Sequence, residues 1–565
     1  MSLPSLLLKH AAERPDDAAL REKSLGVWRE ISWAQYAERS ARVGLGLLEL
    51  GVEPGDRVAV QSENRPEWLL ADLGAQGIGA IVTGVYPTSP AAEVEYLLEH
   101  SEAVVLVAED EEQLDKALAV RERLPALRKI VLVDPRNVRG VEDDPMILTF
   151  AQLEELGAQR ERSEWERRVA KLREEDTAII VYTSGTTGPP KGAMISHANQ
   201  MAAAEAFLAV YDVGPRDEVL SYLPLSHVAE RLFSVIDAVA AGYVVNFGEG
   251  GESFMQDLRD VQPTFFLGVP RVWEKMMATV EIRMADASLV KRRLHRSGLA
   301  KWPLREKLGM SRCRIALSGA APIAPQVLEY FRRLGVPIRE GYGQTENTAV
   351  CTYTPADDVR IGTVGKAAPG VELRIAEDGE ILTRSKGVFQ GYFKNPEATA
   401  ETVDAEGWLH TGDVGELDAD GFLTITDRKK DIIITAGGKN ISPSEIENKL
   451  KVSPYVREAV VIGDRRKYLV ALIGIEGDTV GDWATRRRLA FTTYADLSAK
   501  PEVRELIDGV VREVNGELAQ VETIKRFELI GKELDHEDGE LTATQKVKRR
   551  AIEEQFRSEI EELYA

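Results

Sequence analysis

Cysteine is scarce in this sequence, with only Cys313 and Cys351 among 565 residues. Two thiols argue against a disulfide framework and against a Cys-based zinc site, and they suit a reducing compartment, so we expect a cytoplasmic protein. The sequence also lacks any apolar run approaching about 18 residues, so it predicts no transmembrane helix. The N-terminal residues lack the basic front and long apolar core of a signal peptide.

Basic residues are fewer than acidic residues in this sequence. Lys and Arg number 71 and Asp and Glu number 92, which gives a formal net charge of −21. An acidic chain repels phosphate backbones, so we expect no broad nucleic-acid binding. Anionic membrane surfaces are disfavoured as well, although a local basic patch can still act there, which leaves peripheral membrane contact open. The sequence does not distinguish a monomer from a homodimer.

Helical and strand patterns alternate in the first part of the chain. Residues 33–51 have helical spacing and end at a glycine, while 56–64 and 103–110 are short apolar runs rich in β-branched residues. This alternation predicts a layered α/β domain with a largely parallel sheet. The charged stretch 160–176 predicts a solvated helix face.

The pattern changes near residue 430. The stretch 431–450 reads as an apolar strand, a glycine pair and a helix that begins at Ser-Pro-Ser, and 456–464 and 468–476 read as two strands. We therefore predict a large N-terminal domain at 1–429 and a small, mobile α+β domain at 430–565.

The segment YTSGTTGPPKG (182–192) is small and polar, and it overlaps the end of the apolar run 177–183. It does not fit the P-loop, because Pro190 stands where the second glycine is required and Gly192 follows Lys191 in place of Ser or Thr. The alternating residues after it predict a second strand, where a P-loop has a helix. Its glycines, hydroxyls and lysine still suit a polyphosphate, while the composition alone also fits a mobile polar turn.

With its flank, this segment (182–197) resembles the signature loop of the adenylate-forming superfamily, which includes acyl-CoA synthetases, nonribosomal adenylation domains and luciferases. Three further segments match that family in order. Residues 313–350 read as a strand–helix–strand unit whose loops, SGAAP and GYGQTEN, we expect at neighbouring strand ends, where ligands of open α/β sheets bind. Residues 407–434 and 540–550 complete the series.

The resemblance implies a role for each matched position. The implied nucleotide-binding residues are Thr183, Ser184, Gly185, Thr186, Thr187, Gly188, Gly319, Ala320, Ala321, Tyr342, Gly343, Thr345, Asp413 and Arg428. The implied catalytic residues are Lys546, Thr345, Glu346, Lys191 and His227. Lys546 matches the family's C-terminal lysine, although Gln545 stands where many members have glycine, and Lys548 is the alternative.

These residue types suit such roles. Small residues at 319–321 leave room for a flat base and Tyr342 can stack on it. A carboxylate such as Asp413 accepts from ribose hydroxyls, and Arg428 suits the ribose or a phosphate. The resemblance places Mg²⁺ on Thr186 and Glu346, and a carboxylate is a hard ligand of the kind that Mg²⁺ prefers. It places a hinge at Lys430, and it implies a CoA channel formed by Gly437, Gly438 and Lys439.

Residues 221–233 and 265–277 are similar to segments of long-chain fatty acyl-CoA synthetases, including the bubblegum type. This similarity assigns to an acyl pocket the residues His227, Arg231, Phe266 and Trp273. His227 by itself also fits a structural histidine, and the aromatic residues also fit an ordinary core. Arg231 stands where some bacterial enzymes have a gating tryptophan, so the tryptophan gate does not carry over to this sequence.

The resemblance implies ATP-dependent activation of a long-chain fatty acid to an acyl-adenylate, followed by thioester formation with CoA and release of AMP and pyrophosphate. ATP, Mg²⁺ and CoA are the implied cofactor and co-substrates. Three alternatives stay open: an adenylating enzyme that loads an acyl carrier protein, a ligase for medium-chain or aryl acids, and a catalytically silent nucleotide-binding protein.

Overall fold

An eight-stranded sheet forms the centre of the N-terminal part of the chain. In spatial order its strands are Gly391–Tyr392, Lys191–Ser196, Thr177–Thr183, Ile81–Val85, Arg57–Gln61, Ala103–Ala108, Lys129–Leu132 and Ile147–Thr149. The last six pair in parallel, and Lys191–Ser196 is antiparallel to both of its neighbours. Every residue of Ala103–Ala108 is buried, as expected when helices cover both faces of a parallel sheet. The predicted α/β class is confirmed.

The structure is a computed structural model, and it describes residues 1–141, 143–183, 189–251, 253–285, 288, 301–436, 438–536, 538–542 and 546–565. No helix among these residues is long and apolar enough to cross a membrane. Cys313 and Cys351 are both free and buried.

Three smaller sheets complete the N-terminal part. A five-stranded sheet has the order Phe265–Leu267, Ile315–Ser318, Ile338–Tyr342, Thr352–Tyr353 and Lys366–Ala367. A four-stranded sheet has the order Glu218–Ser221, Val244–Phe247, Ala18–Ser24 and Val27–Ser32. An antiparallel sheet has the order Glu372–Ile375, Glu380–Arg384, Leu409–Leu417 and Leu423–Arg428.

Helices cover these sheets. The α-helices are Leu3–Glu13, Trp33–Glu49, Pro66–Gly77, Ala91–Ser101, Glu111–Val120, Phe150–Ala158, Arg162–Val169, His197–Val210, Val228–Arg231, Asp237–Ala241, Phe254–Val261, Pro270–Ala285, Lys301–Lys307, Pro325–Leu334 and Pro396–Thr402. Shorter 3₁₀ turns lie at Arg121–Arg123 and Thr345–Asn347, and Leu232–Ile236 is a π-helix. Helix starts follow the sequence: Ser32 and Ser196, for example, form capping boxes with Gln35 and Asn199.

The charged stretch after residue 160 forms the helix Arg162–Val169, whose arginines pair with glutamates on the outside. Its other face carries Trp165, which is fully buried and donates its indole N–H to the Gly74 carbonyl oxygen (3.1 Å). A Cβ at Gly77 would meet the indole ring at 2.3 Å, so glycine is needed for this close approach. The solvated face was predicted, and the buried tryptophan beneath it was not.

The C-terminal part has its own core. A three-stranded sheet of Val456–Ile462, Leu469–Ile475 and Ile524–Leu529 packs against helices, with a two-stranded ribbon of Ile433–Ile434 and Asn440–Ile441 nearby. The helices are Pro443–Lys451, Gly477–Arg486, Tyr494–Ser498, Pro501–Asn515, Arg549–Gln555 and Arg557–Tyr564. The strands and the helix predicted between 431 and 476 are confirmed.

Candidate active site

A cavity of about 2930 Å³ extends through the N-terminal part and is closed on one side by residues of the C-terminal part. It brings together positions that are hundreds of residues apart in sequence. The predicted site residues that line it are Thr183, Lys191, His227, Gly319, Ala320, Ala321, Tyr342, Gly343, Thr345, Glu346, Asp413, Arg428, Lys430 and Lys546. Ser184, Gly185, Thr186, Thr187 and Gly188 lie outside the described residues.

Two parallel strand ends supply the floor of the cavity. Ile315–Ser318 and Ile338–Tyr342 pair in parallel, so the small residues after Ser318 and the turn after Tyr342 emerge side by side. A Cβ at Gly343 would meet the Ala349 backbone at 2.2 Å, so only glycine fits that turn. Ala320 is left-handed, with φ of 67°, a conformation that costs a non-glycine residue energy and is frequent at functional sites.

A buried carboxylate, Asp413, connects the second motif to the third. The Tyr342 hydroxyl donates to Asp413 Oδ2 (2.6 Å), and Gln344 Nε2 donates to the same oxygen (2.8 Å). Arg428 is the register partner of Asp413 on the adjacent strand, and its Nε lies 3.2 Å from Asp413 Oδ1. Burial, and then the negative charge of Asp413, raise the pKa of Tyr342 well above its usual value, so the phenol stays protonated as the donor.

Thr183 and Lys191, which flank the polar loop in sequence, are register partners on two antiparallel strands. The Lys191 Nζ lies over the ring of Tyr392, 5.1 Å from its centroid. The Tyr392 hydroxyl donates to Glu346 Oε1 (2.6 Å), which holds this half-buried carboxylate in the cavity wall. Tyr392 therefore contacts both Lys191 and Glu346.

Lys546 enters the cavity from the C-terminal part. Its side chain lines the cavity and is exposed to the cavity's solvent. Desolvation of the ammonium by the cavity walls, and then the positive charge of Arg428, lower the pKa of Lys546 to about 8, against the opposing effect of Asp413. Lys548, the alternative lysine, also lines the cavity, and its backbone N–H donates to the Glu540 carbonyl oxygen (2.8 Å).

His227 is the N-cap of the short helix Val228–Arg231. The Ala229 backbone N–H donates to His227 Nδ1 (3.2 Å), which puts the ring proton on Nε2. Burial and the nearby charge of Lys546 lower the pKa of His227 to about 4, so the imidazole is neutral near pH 7. A neutral ring with a free Nε2–H at the cavity wall is a hydrogen-bond donor.

The other three residues assigned to the acyl pocket do not line the cavity and lie in the core. Arg231 is 1% exposed, pairs with Asp72 and stacks on the Trp68 ring at 4.7 Å, so it is a buried structural residue and not a gate. Phe266 and Trp273 pack edge to face at 5.2 Å, and the Trp273 indole N–H donates to the Gly268 carbonyl oxygen (2.8 Å). Of the four, only His227 faces the cavity.

The predicted hinge and channel lie at the junction of the two parts. Lys430 is exposed in the turn after the strand Leu423–Arg428. Gly438 and Lys439 form an exposed turn between the two short ribbon strands, outside the cavity, and Gly437 is not among the described residues. Ala436, just before them, does line the cavity.

Several polar contacts join the residues after 430 to those before it. Near the junction, Ser442 Oγ donates to Asp427 Oδ2 (2.6 Å), and two more contacts lie farther from it. Arg271 pairs with Glu458 (3.0 Å) and donates to the Arg457 carbonyl oxygen (2.8 Å). His536 Nε2 lies 2.9 Å from Glu93 Oε2, and this hydrogen bond is the largest cause of the raised pKa of His536. A rotation of the C-terminal part about Lys430 would break the contacts of Arg271 and of His536.

Sequence reasoning missed two residues of the site. Gln344 lies inside the quoted GYGQTEN segment and was passed over, although an amide beside a carboxylate acceptor is a recognisable signal. Tyr392 orients Glu346 from 46 positions away, and nothing in its local sequence marks it. The contact exists because Gly391–Tyr392 pairs with the strand after the polar loop.

Two family models match most of the chain, and curated proteins match all or nearly all of it. Residues 7–393 match the model described as AMP-binding enzyme, and residues 430–565 match the model of the AMP-binding enzyme C-terminal domain. The long-chain-fatty-acid–CoA ligase FadD15 of Mycobacterium bovis is 35% identical over 100% of this chain and 97% of its own length. The long-chain-fatty-acid–CoA ligase ACSBG1 of Bos taurus is 32% identical over 97% of this chain and 83% of its own length.

Solved structures have the same fold. The A domain of a carboxylic acid reductase from Segniliparus rugosus, in complex with AMP and a co-purified carboxylic acid, has a TM-score of 0.82 at 21% identity, with coverage of 100% of this chain and 94% of that one. The anthranilate CoA ligase AuaEII, in complex with anthranoyl-AMP, has a TM-score of 0.79 at 22% identity, with coverage of 99% and 98%. The resemblance seen in the sequence is confirmed, and the chain belongs to the adenylate-forming, AMP-binding enzyme family.

Proposed function

We propose that this protein is a long-chain fatty acid–CoA ligase that forms an acyl-adenylate from ATP and then an acyl-CoA. The observation that carries the proposal is the convergence of four separate motifs on one cavity, with Lys546 close to Arg428 and Asp413. The curated relatives named as long-chain-fatty-acid–CoA ligases, in bacteria and in animals, support the choice of acid and acceptor. The cofactor and substrates would be Mg²⁺, ATP, CoA and a fatty acid.

The first step would join the acid to the α-phosphate and release pyrophosphate. A fatty acid is already ionised near pH 7, so the attack needs no general base. Negative charge builds on the α-phosphate in the transition state, and a preorganised ammonium such as that of Lys546 stabilises it. His227, neutral and with its proton on Nε2, would donate a hydrogen bond to the carboxylate of the acid.

The nucleoside would bind at the strand ends. Asp413 has two oxygens held by Tyr342, Gln344 and Arg428, which fixes a carboxylate in position to accept from the ribose hydroxyls. The small residues 319–321 line the cavity together with Tyr342 and would leave room for the base beside its ring. Lys191 and the polar loop would hold the outer phosphates, which leave as pyrophosphate.

Glu346 fits a divalent cation. Tyr392 holds its Oε1, and its carboxylate faces the cavity, which leaves Oε2 as a hard oxygen ligand of the kind that Mg²⁺ prefers. Glu346 would therefore hold the ion, with Thr186 as the second residue that the family pattern implies. When bound, Mg²⁺ neutralises phosphate charge.

The second step would bring a thiol to the adenylate after the C-terminal part rotates about Lys430. Lys546 would leave the α-phosphate, and the turn at 437–439 would approach the cavity. Rotation costs the contacts of Arg271 with Glu458 and of His536 with Glu93, which hold the arrangement seen here.

We expect the pH profile of the adenylation step to report Lys546. The ammonium is the active form, and its pKa is lowered to about 8, so kcat/KM for ATP should fall as pH rises through about 8. ATP–pyrophosphate exchange between pH 6 and 10 measures this. The Lys546→Arg variant keeps its charge throughout that range, so any activity it retains should lack the falling limb; an identical limb in that variant would assign the titration to another group.

The proposed function is tested by AMP release with a panel of acids from C8 to C20 and aryl acids, each with ATP and CoA. Release that depends on CoA and is greatest with long chains is the expected result. Preference for a holo-carrier protein over CoA would move the protein to the carrier-loading class. No AMP release with any acid, together with no ATP–pyrophosphate exchange, would rule out the proposed function.

A further inference from the structure

The cavity has an apolar branch that runs away from the nucleotide residues. It passes between the helices Phe254–Val261, Pro270–Ala285 and Lys301–Lys307. Its walls include Phe254, Met255, Val280, Met284, Leu304 and Leu308. A branch with this apolar lining suits a hydrocarbon chain.

Five exposed cations surround this branch, and we name them the basic rim. They are Arg259, Lys275, Arg283, Lys301 and Lys307, and all except Lys301 border the cavity itself. None of the five forms an ion pair with a described residue, whereas most arginines elsewhere on the described surface of this acidic protein are paired with carboxylates. Among the described residues these cations have no carboxylate partner, so they are available to an anionic partner from outside the chain.

Four of the five rim residues lie in a basic stretch of an acidic sequence. Residues 270–307 contain 10 Lys and Arg against 4 Asp and Glu, a local charge of 10 − 4 = +6 in a chain of −21. Trp302 is 64% exposed on the helix that carries Lys301 and Lys307. Tryptophan has an apolar ring with one polar N–H, and it is enriched where a protein meets the headgroup layer of a membrane.

The net charge of the whole chain does not oppose such a contact. Charges are screened beyond about 8 Å at physiological ionic strength, so a surface that touches the bilayer responds to its own local charge. Each Lys or Arg close to an anionic membrane strengthens binding by about fivefold. Five such residues and one exposed indole are enough for reversible attachment.

We propose that the basic rim and Trp302 form a docking surface for an anionic lipid bilayer, so that the apolar branch opens toward the membrane in which a long-chain acid dissolves. The proposal extends the proposed function, because only a hydrophobic acid has reason to enter from a bilayer. The partner is the lipid surface itself, recognised by the negative charge of its headgroups.

The test is co-sedimentation of the full-length protein with vesicles of equal phosphatidylcholine and phosphatidylglycerol, compared with vesicles of phosphatidylcholine alone. We expect binding to the anionic vesicles only, and weaker binding as salt is raised. The triple variant Lys275→Gln, Lys301→Gln and Lys307→Gln should bind about 100-fold more weakly, and Trp302→Ala should also bind less.

A matched control is Lys9→Gln, Arg139→Gln and Lys171→Gln, which removes the same charge from exposed residues without ion pairs to described residues. This control should keep its vesicle binding. Absence of binding by the unmodified protein, equal binding to neutral vesicles, or equal loss in both triple variants would overturn the proposal. AMP release with soluble octanoate, measured in parallel, shows separately whether the ligase activity itself is present.

Discussion

Lys546→Ala is expected to slow acyl-adenylate formation by roughly 10²–10³-fold, the usual cost of removing one preorganised donor from a developing oxyanion. The same variant should convert a supplied acyl-adenylate and CoA to acyl-CoA at a rate within a few fold of the unmodified enzyme. ATP–pyrophosphate exchange measures the first step, and thioester formation from synthetic acyl-adenylate measures the second.

The two steps should separate because the lysine lies in the cavity in this arrangement, close to Arg428 and Asp413. The charge that it stabilises appears on the α-phosphate only while pyrophosphate leaves. In the thiol step AMP is the leaving group, and the proposed rotation takes the lysine away from it. An electrostatic contact that exists in one arrangement lowers the barrier of one step only.

Lys548→Ala is the matched control, since Lys548 also lines the cavity and stands two residues on. Its backbone, which caps the helix Arg549–Gln555, is unchanged by the substitution. We expect a small effect on both steps. If Lys548→Ala lost the exchange activity and Lys546→Ala kept it, the catalytic role would pass to Lys548; equal losses in both steps for Lys546→Ala would remove the two-arrangement explanation.

The local parts of this site could be read from the sequence. The apolar run before 182–192 and the alternating residues after it predicted two strands joined by a loop. Thr183 does pair with Lys191 in the structure. The strand–helix–strand reading of 313–350 predicted two parallel strand ends side by side, and Ile315–Ser318 pairs in parallel with Ile338–Tyr342. Periodicity and turn residues encode such elements because both depend on near neighbours in the chain.

Contacts between distant segments could not be read in this way. Tyr392 reaches Glu346 through the pairing of a two-residue strand that has no periodicity to detect. Arg231 was assigned to a pocket because it occupies a gate position in the pattern, but which way a side chain points depends on its tertiary neighbours. Here Asp72 and Trp68, on a helix more than 150 positions earlier, hold it in the core.

Arg231→Met should destabilise the protein by about 3–5 kcal/mol, because it leaves Asp72 as a buried charge without its partner. Asp72 is fully buried, and burial raises its pKa while Arg231 opposes that shift. The substitution also removes the stacking on Trp68. We expect the midpoint of thermal unfolding to fall by roughly 3–6 °C, with the second variant Asp72→Asn showing a loss in the same direction.

The matched control is Arg360→Met. Arg360 also stacks on an aromatic ring, with its guanidinium 4.0 Å from the Phe422 centroid, and it also pairs with carboxylates, at 2.8 Å from Asp420. Its partner is exposed, so water solvates the carboxylate that remains, and the expected cost is below about 1 kcal/mol. The difference between the two variants isolates burial as the cause.

Because Arg231 Nε and Asp72 Oδ2 have no hydrogen-bond partner among the described residues, the double variant Arg231→Met with Asp72→Leu should recover much of the loss. Recovery of stability would show that the main role of each charge in this ion pair, near His227 in sequence, is to neutralise the other. A double variant no more stable than Arg231→Met would show that the ion pair stabilises the fold in a further way.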